Sequence, residues 1–110
     1  MNDRTATQTY AVCLRDVVEA DEYWKSTSAE IIWEKRVPTN SLLERLVFEL
    51  KYFSETNAHL DRKNITLCPA SRCSDGDVVG VDWFDGRLYV YWCGPRRAYP
   101  FLRAREVAVS

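Results

Sequence analysis

The sequence predicts one compact α+β domain in which two or three N-terminal helices pack on a small antiparallel sheet, and three observations carry that reading. The first is length: 110 residues with 46% apolar content can bury a core of their own but leave little room for a second domain. The second is Ser41-Leu42-Leu43-Glu44, a capping box that opens a stretch of helical period. The third is Asp85-Gly86 between two runs of period-two alternation, the signature of a two-residue type I′ hairpin. The chain divides accordingly into a helical scaffold over 1–58 and a sheet with a displayed surface over 59–110.

Taken in order, Thr9 to Leu14 alternates as a short opening strand, and Val17, Ala20 and Trp24 recur at helical spacing across 16–24. Thr27-Ser28-Ala29-Glu30 fits a capping box before Ile31-Ile32-Trp33, giving a helix that reaches Arg36 before Val37-Pro38 ends it; a buried strand is the competing reading. Over about 41–57, Leu43, Leu46, Val47, Leu50 and Phe53 form an apolar stripe opposite Glu44, Arg45, Glu49 and Lys51, so this helix is expected to bury the stripe. Residues 64–77, with Pro69, Ser71, Ser74, Asp75 and Gly76, read as a loop.

Counting outward from Asp85-Gly86 sets the hairpin register. Phe84 faces Arg87, Trp83 faces Leu88, Asp82 faces Tyr89, Val81 faces Val90, Gly80 faces Tyr91 and Val79 faces Trp92. One face then carries Val79, Val81, Trp83, Leu88, Val90 and Trp92, an apolar set expected to enter the core. The opposite face carries Gly80, Asp82, Phe84, Arg87, Tyr89 and Tyr91. Rigid aromatics beside Asp, Arg and Gly have the chemistry of a binding surface, offering large contact area at small rotamer cost. A terminal segment or a second copy of the chain covering this face is the bland alternative.

Composition narrows the function. Seven of the 14 aromatic residues fall between Trp83 and Phe101, and every basic residue after 67 is an arginine. A net charge of −1 gives no footprint for nucleic acid, and no run approaches a membrane span. Residues 1–9 are polar and lack the apolar core of a secretory signal, so the expectation is a soluble chain, cytoplasmic by default. Phosphate-binding glycine loops, His-Glu-x-x-His and Gly-x-Ser-x-Gly do not occur, so the chain reads as a binder rather than an enzyme, with no cofactor. A zinc set of His59, Cys68, Cys73 and Cys93 can be drawn, but it holds one short pair where structural sites usually show two. Free thiols are the default, with a Cys73–Cys93 disulfide as the oxidised alternative.

The stretch from His59 through Cys68-Pro69-Ala70-Ser71-Arg72-Cys73-Ser74-Asp75-Gly76, the Trp-bearing hairpin and Phe101-Leu102-Arg103-Ala104-Arg105-Glu106-Val107 resembles the variable proteins of diversity-generating retroelements, over about 59–108. The resemblance implies a C-type-lectin-like fold in which a constant frame alternates with positions rewritten by adenine-directed mutagenesis. The frame would be Ser71, Arg72, Ser74, Asp75, Gly76, Val81, Trp83, Leu88, Val90, Trp92, Leu102, Arg103 and Arg105. The displayed ligand-binding positions would be Cys73, Asp77, Gly80, Asp82, Phe84, Tyr91, Cys93, Gly94, Arg97, Tyr99 and Phe101. Register counting alone puts Gly80, Asp82, Phe84 and Tyr91 together on the outer face. The implied partner is a protein ligand, with self-association open; the alternative function is a small phage or mobile-element inhibitor that occludes a host protein.

Overall fold

The computed structural model describes Arg4, residues 10–73 and residues 75–109. Among the described residues two α-helices and two sheets form an α+β body with a radius of gyration of 12.9 Å, the size expected of a folded chain of this length. Among the described residues no helix is long and apolar enough to cross a membrane.

Strand β1 (Val12–Cys13) pairs with the last strand, β6 (Ala108–Val109), and so joins the two ends of the described chain. The helix expected over 16–24 is reduced to a single 3-10 turn at Glu22–Trp24. Helix α1 (Ala29–Lys35) starts one residue later than the capping box suggested: the Ser28 hydroxyl caps it, and Arg36 ends it in the left-handed region. Helix α2 (Leu42–Thr56) carries the full Ser41–Glu44 capping box.

The main sheet has the order β4-β3-β2-β5, from β2 (Ile65–Arg72), β3 (Val78–Phe84), β4 (Arg87–Cys93) and β5 (Leu102–Ala104). It is mixed rather than wholly antiparallel, because β5 runs parallel to β2. The expected loop over 64–77 is in fact the central strand β2. Pro69 lies within an irregularity between Cys68 and Arg72, a position where a strand tolerates a missing N–H.

Helix α1 covers one side of the sheet, where Ala29 packs with Leu67, Val78 and Leu102 and the Trp33 indole N–H donates to the Pro69 carbonyl at 2.7 Å. Helix α2 covers the other side, with Leu42 against Cys68, Val79 and Val81. Its orientation reverses the expectation. Glu44, Arg45 and Glu49 are buried, while Leu43, Val47, Leu50 and Phe53 are exposed and Leu46 is half-buried. The cause is a buried acceptor: Asp61 takes Arg45 Nε at 3.0 Å, Arg45 reaches Glu49 at 2.9 Å, and Glu49 holds His59 at 2.9 Å. A charged helix face turns inward where its charges are paired.

The hairpin register is as counted, pair for pair, from Phe84–Arg87 to Val79–Trp92. Burial of its apolar face is only partial. Val79 and Val81 enter the core and Trp83 is half-buried, but Leu88, Val90 and Trp92 are exposed. They belong to β4, the edge strand, which lies beside α2 rather than beneath it.

Candidate binding face

The site is built on the α1 side of β3 and β4. Asp85 and Gly86 both have positive φ, 50° and 77°, as a type I′ turn requires, and this turn locks the register that lines up one face of the hairpin. On that face the Tyr89 and Tyr91 rings stack at 5.9 Å, and Phe84 lies 6.5 Å from Tyr89. Phe84 is 61% exposed at the end of this row. Tyr89 was outside the set implied by the resemblance, yet it joins Phe84 to Tyr91; strand alternation alone was the signal for it.

Asp82 adds a polar centre to the row. The Tyr91 hydroxyl and the Asp82 carboxylate lie close enough to perturb each other, while Asp82 Oδ1 is buried with no hydrogen-bond partner among the described residues. Burial pushes the Asp82 carboxyl above its ordinary range, and the Tyr91 hydroxyl only partly opposes this. Tyr91 is pushed up to about 12, by burial and then by the Asp82 carboxylate. The pair offers a hydrogen-bonding point inside an aromatic surface, the combination that anchors protein partners.

Beyond the open end of the hairpin two turns come together. The Cys73 N–H donates to the Asp77 carbonyl at 2.9 Å, and Asp77 leads into Val78, which pairs with Cys93. In the second turn the Arg97 N–H donates to the Gly94 carbonyl at 3.2 Å, and Arg97 is exposed. This turn docks on the start of α1, where the Glu30 N–H donates to the Pro95 carbonyl at 2.8 Å. Tyr99 and Phe101 stack on each other at 5.5 Å, both exposed, at the entry to β5. Asp77, Asp82, Tyr91 and Arg97 thus lie on or beside the hairpin, and Tyr99 with Phe101 forms its own aromatic pair.

Gly80 is the exception among the expected display positions. It is buried, and a Cβ there would come within 2.7 Å of Ile65 Cγ2 and 3.5 Å of Cys93 Sγ. It is a packing position beneath the surface, and no side chain can be presented from it without moving Ile65. Cys93 is only half exposed, and its thiol is raised by burial, opposed by Arg97 and reinforced by Asp77.

All four cysteines are free, so Cys73 and Cys93 are not bridged. Cys68 is sealed behind the opposite side of the sheet, its thiol pushed up to about 12 by burial, and it accepts from the Asn40 amide. His59 is held between the rings of Phe53 and Trp83, at 4.6 and 3.4 Å. These side chains do not converge; among the described residues no group of three or more His, Cys, Asp or Glu could hold a metal ion.

Several positions of the implied frame have structural work. The Ser71 hydroxyl accepts from the Leu42 N–H at the start of α2, Arg72 lies over the Trp33 ring at 4.4 Å, and Asp75 caps the Asp77 N–H across Gly76, whose φ is +91°. Leu102 is core and Arg105 is fully buried on Asp61. Ser74 lies outside the described residues. No family model, no curated protein and no solved structure matches this chain.

Proposed function

We propose that this chain is the variable protein of a diversity-generating retroelement, a lectin-type scaffold whose hairpin face is rewritten to bind protein ligands and which carries out no chemistry of its own. The observation that carries the reading is the row Phe84, Tyr89, Tyr91 on one face of a locked hairpin, with the unpartnered Asp82 oxygen in its midst. A bland sheet exterior would present Thr, Lys and Glu there. Support also comes from the division of labour along the chain, since Ser71, Arg72, Asp75, Leu102 and Arg105 hold the fold while Phe84, Arg97, Tyr99 and Phe101 face solvent.

The test is genomic and needs no ligand. A reverse-transcriptase gene and a near-copy of the 3′ coding segment are expected beside this gene, with differences confined to template adenines. Those differences should fall in the codons of Asp77, Asp82, Phe84, Tyr91, Arg97, Tyr99 and Phe101, and spare Gly80, Trp83 and Arg105. Absence of any near-copy, or differences spread evenly over the core codons, overturns the proposal.

A further inference from the structure

The outer face of the hairpin holds a negative charge whose counter-charge is missing. Asp82 is paired across the strands with Tyr89, and the Gly80–Tyr91 and Phe84–Arg87 pairs flank it on the same face. Its immediate neighbours there are therefore Gly80, Phe84, Tyr89 and Tyr91, none of them a cation. Arg87 stands at the turn end, across from Phe84. The charges that act on the Asp82 carboxylate are Asp61 and Arg45, which work in opposite directions, and Arg45 is committed to Glu49 and Asp61. Asp82 Oδ1 has no hydrogen-bond partner among the described residues. The carboxylate does not support the fold either, because its partial burial makes the ionised form a cost at neutral pH. A side chain that costs stability on a displayed face is explained by what it does for a ligand.

The rings around Asp82 specify the sign and the shape of what binds. Tyr89 and Tyr91 lie 19° from parallel with centroids 5.9 Å apart, and Phe84 continues the row 6.5 Å from Tyr89. Aromatic faces attract cations, and a guanidinium is planar, weakly hydrated and always charged, so it lies flat on such rings while facing a carboxylate. We infer that the hairpin face receives an arginine side chain of a protein partner, its guanidinium laid over Tyr89 and Tyr91 and its charge balanced by Asp82. The inference rests on reading this face as the ligand surface. Oδ1 stays under its cover, because the attraction is coulombic and strengthens as the partner excludes water from the face. In the retroelement reading Asp82, Phe84 and Tyr91 are rewritten positions, so the preference for arginine belongs to this version of the face and not to the scaffold.

The probe is Nα-acetyl-arginine-N-methylamide, with its citrulline counterpart, close in shape but uncharged, as the control, each titrated into the full chain and followed by amide NMR shifts. The arginine probe is expected to give saturable shifts centred on Asp82, Tyr89 and Tyr91 with a Kd on the order of 1–10 mM, and the citrulline probe to bind about tenfold more weakly or worse. Asp82→Asn should weaken arginine binding about tenfold while melting no lower than the unaltered chain at about pH 7. Tyr89→Leu keeps the apolar bulk and removes the ring, and should weaken it roughly threefold or more. No saturable shift up to about 50 mM, equal binding of the two probes, or a folded Asp82→Asn that binds arginine as well as the unaltered chain, overturns the inference. A template near-copy beside the gene together with a failed titration retires the arginine and leaves the variable surface standing. A missing near-copy with a successful titration retires the retroelement reading and leaves the arginine site.

Discussion

Gly80 has no side chain because Ile65 fills the space one would take, and this sets the depth of the hairpin floor. Gly80→Ala is expected to cost about 1–3 kcal/mol as an overpacking substitution, read from urea unfolding. In an Ile65→Ala background most of that cost should vanish, since the two side chains share one volume. Asp82 is the opposite case, a group whose burden is electrostatic. Burial raises its carboxyl above the ordinary value of 3.8, so the folded chain holds that proton more tightly than the unfolded chain. The ionised carboxylate therefore penalises the fold above its raised folded value, and the penalty fades as pH falls from that value to the ordinary one and is gone below it. Asp82→Asn should raise Tm at about pH 7 and leave it unchanged at about pH 3. Equal shifts at both pH values would rule out this account.

Helix α2 and the hairpin separate local from long-range information. The capping box on α2 satisfies N–H groups within its own first turn, so Ser41→Ala should cost about 1 kcal/mol in thermal or urea unfolding. In the hairpin, Trp83 is half-buried and stacked on His59 whereas Trp92 is 65% exposed. Trp83→Ala should cost about 3 kcal/mol and Trp92→Ala under about 1 kcal/mol in urea unfolding. Equal losses would restore the fully buried apolar face expected from alternation. Helix ends, the type I′ turn and strand register were legible because each depends on residues a few positions apart. Which side of α2 faces inward was not, because Arg45 is drawn in by Asp61, 16 residues away, and Arg105 arrives there from 44 residues further on. Strand β2 was hidden by Pro69 and by its burial on both sides, which removes the alternation. Within the candidate site, the adjacency of Phe84, Asp82 and Tyr91 followed from the register. The burial of Gly80 did not, since the neighbour that covers it belongs to the unrecognised strand.

At the scale of the whole molecule, segments far apart in the chain meet on one carboxylate. Asp61 accepts from the Ala20 N–H at 2.9 Å, Arg45 Nε at 3.0 Å, Arg105 Nη2 at 3.0 Å and the Thr66 hydroxyl. Its backbone continues the junction: its N–H donates to the Val18 carbonyl at 2.7 Å, and its carbonyl accepts from the Trp83 N–H at 3.0 Å. Arg105 extends it to the carbonyls of Val17 and Val18. Among the described residues the apolar core is divided into three small clusters, and this ionic junction ties α2, β2 and β3 to the 17–20 segment and to Arg105, which follows β5. Asp61→Ala would leave two guanidiniums buried without their shared carboxylate. Arg45 keeps Glu49 at 2.9 Å, but Arg105 loses the carboxylate it is paired with; breaking a buried pair costs roughly 3–5 kcal/mol against a total stability of about 5–15 kcal/mol, so this variant is expected to lose a large part of its stability. Arg45→Met should be far milder. It removes one of the two cations, leaves Asp61 paired with Arg105 and Glu49 with His59, and abolishes a buried Nη2 that has no hydrogen-bond partner among the described residues. Urea unfolding followed by far-UV circular dichroism separates the two. A folded Asp61→Ala with stability near that of the unaltered chain, or an Arg45→Met as damaging as Asp61→Ala, would show that these segments are held together by their apolar contacts alone.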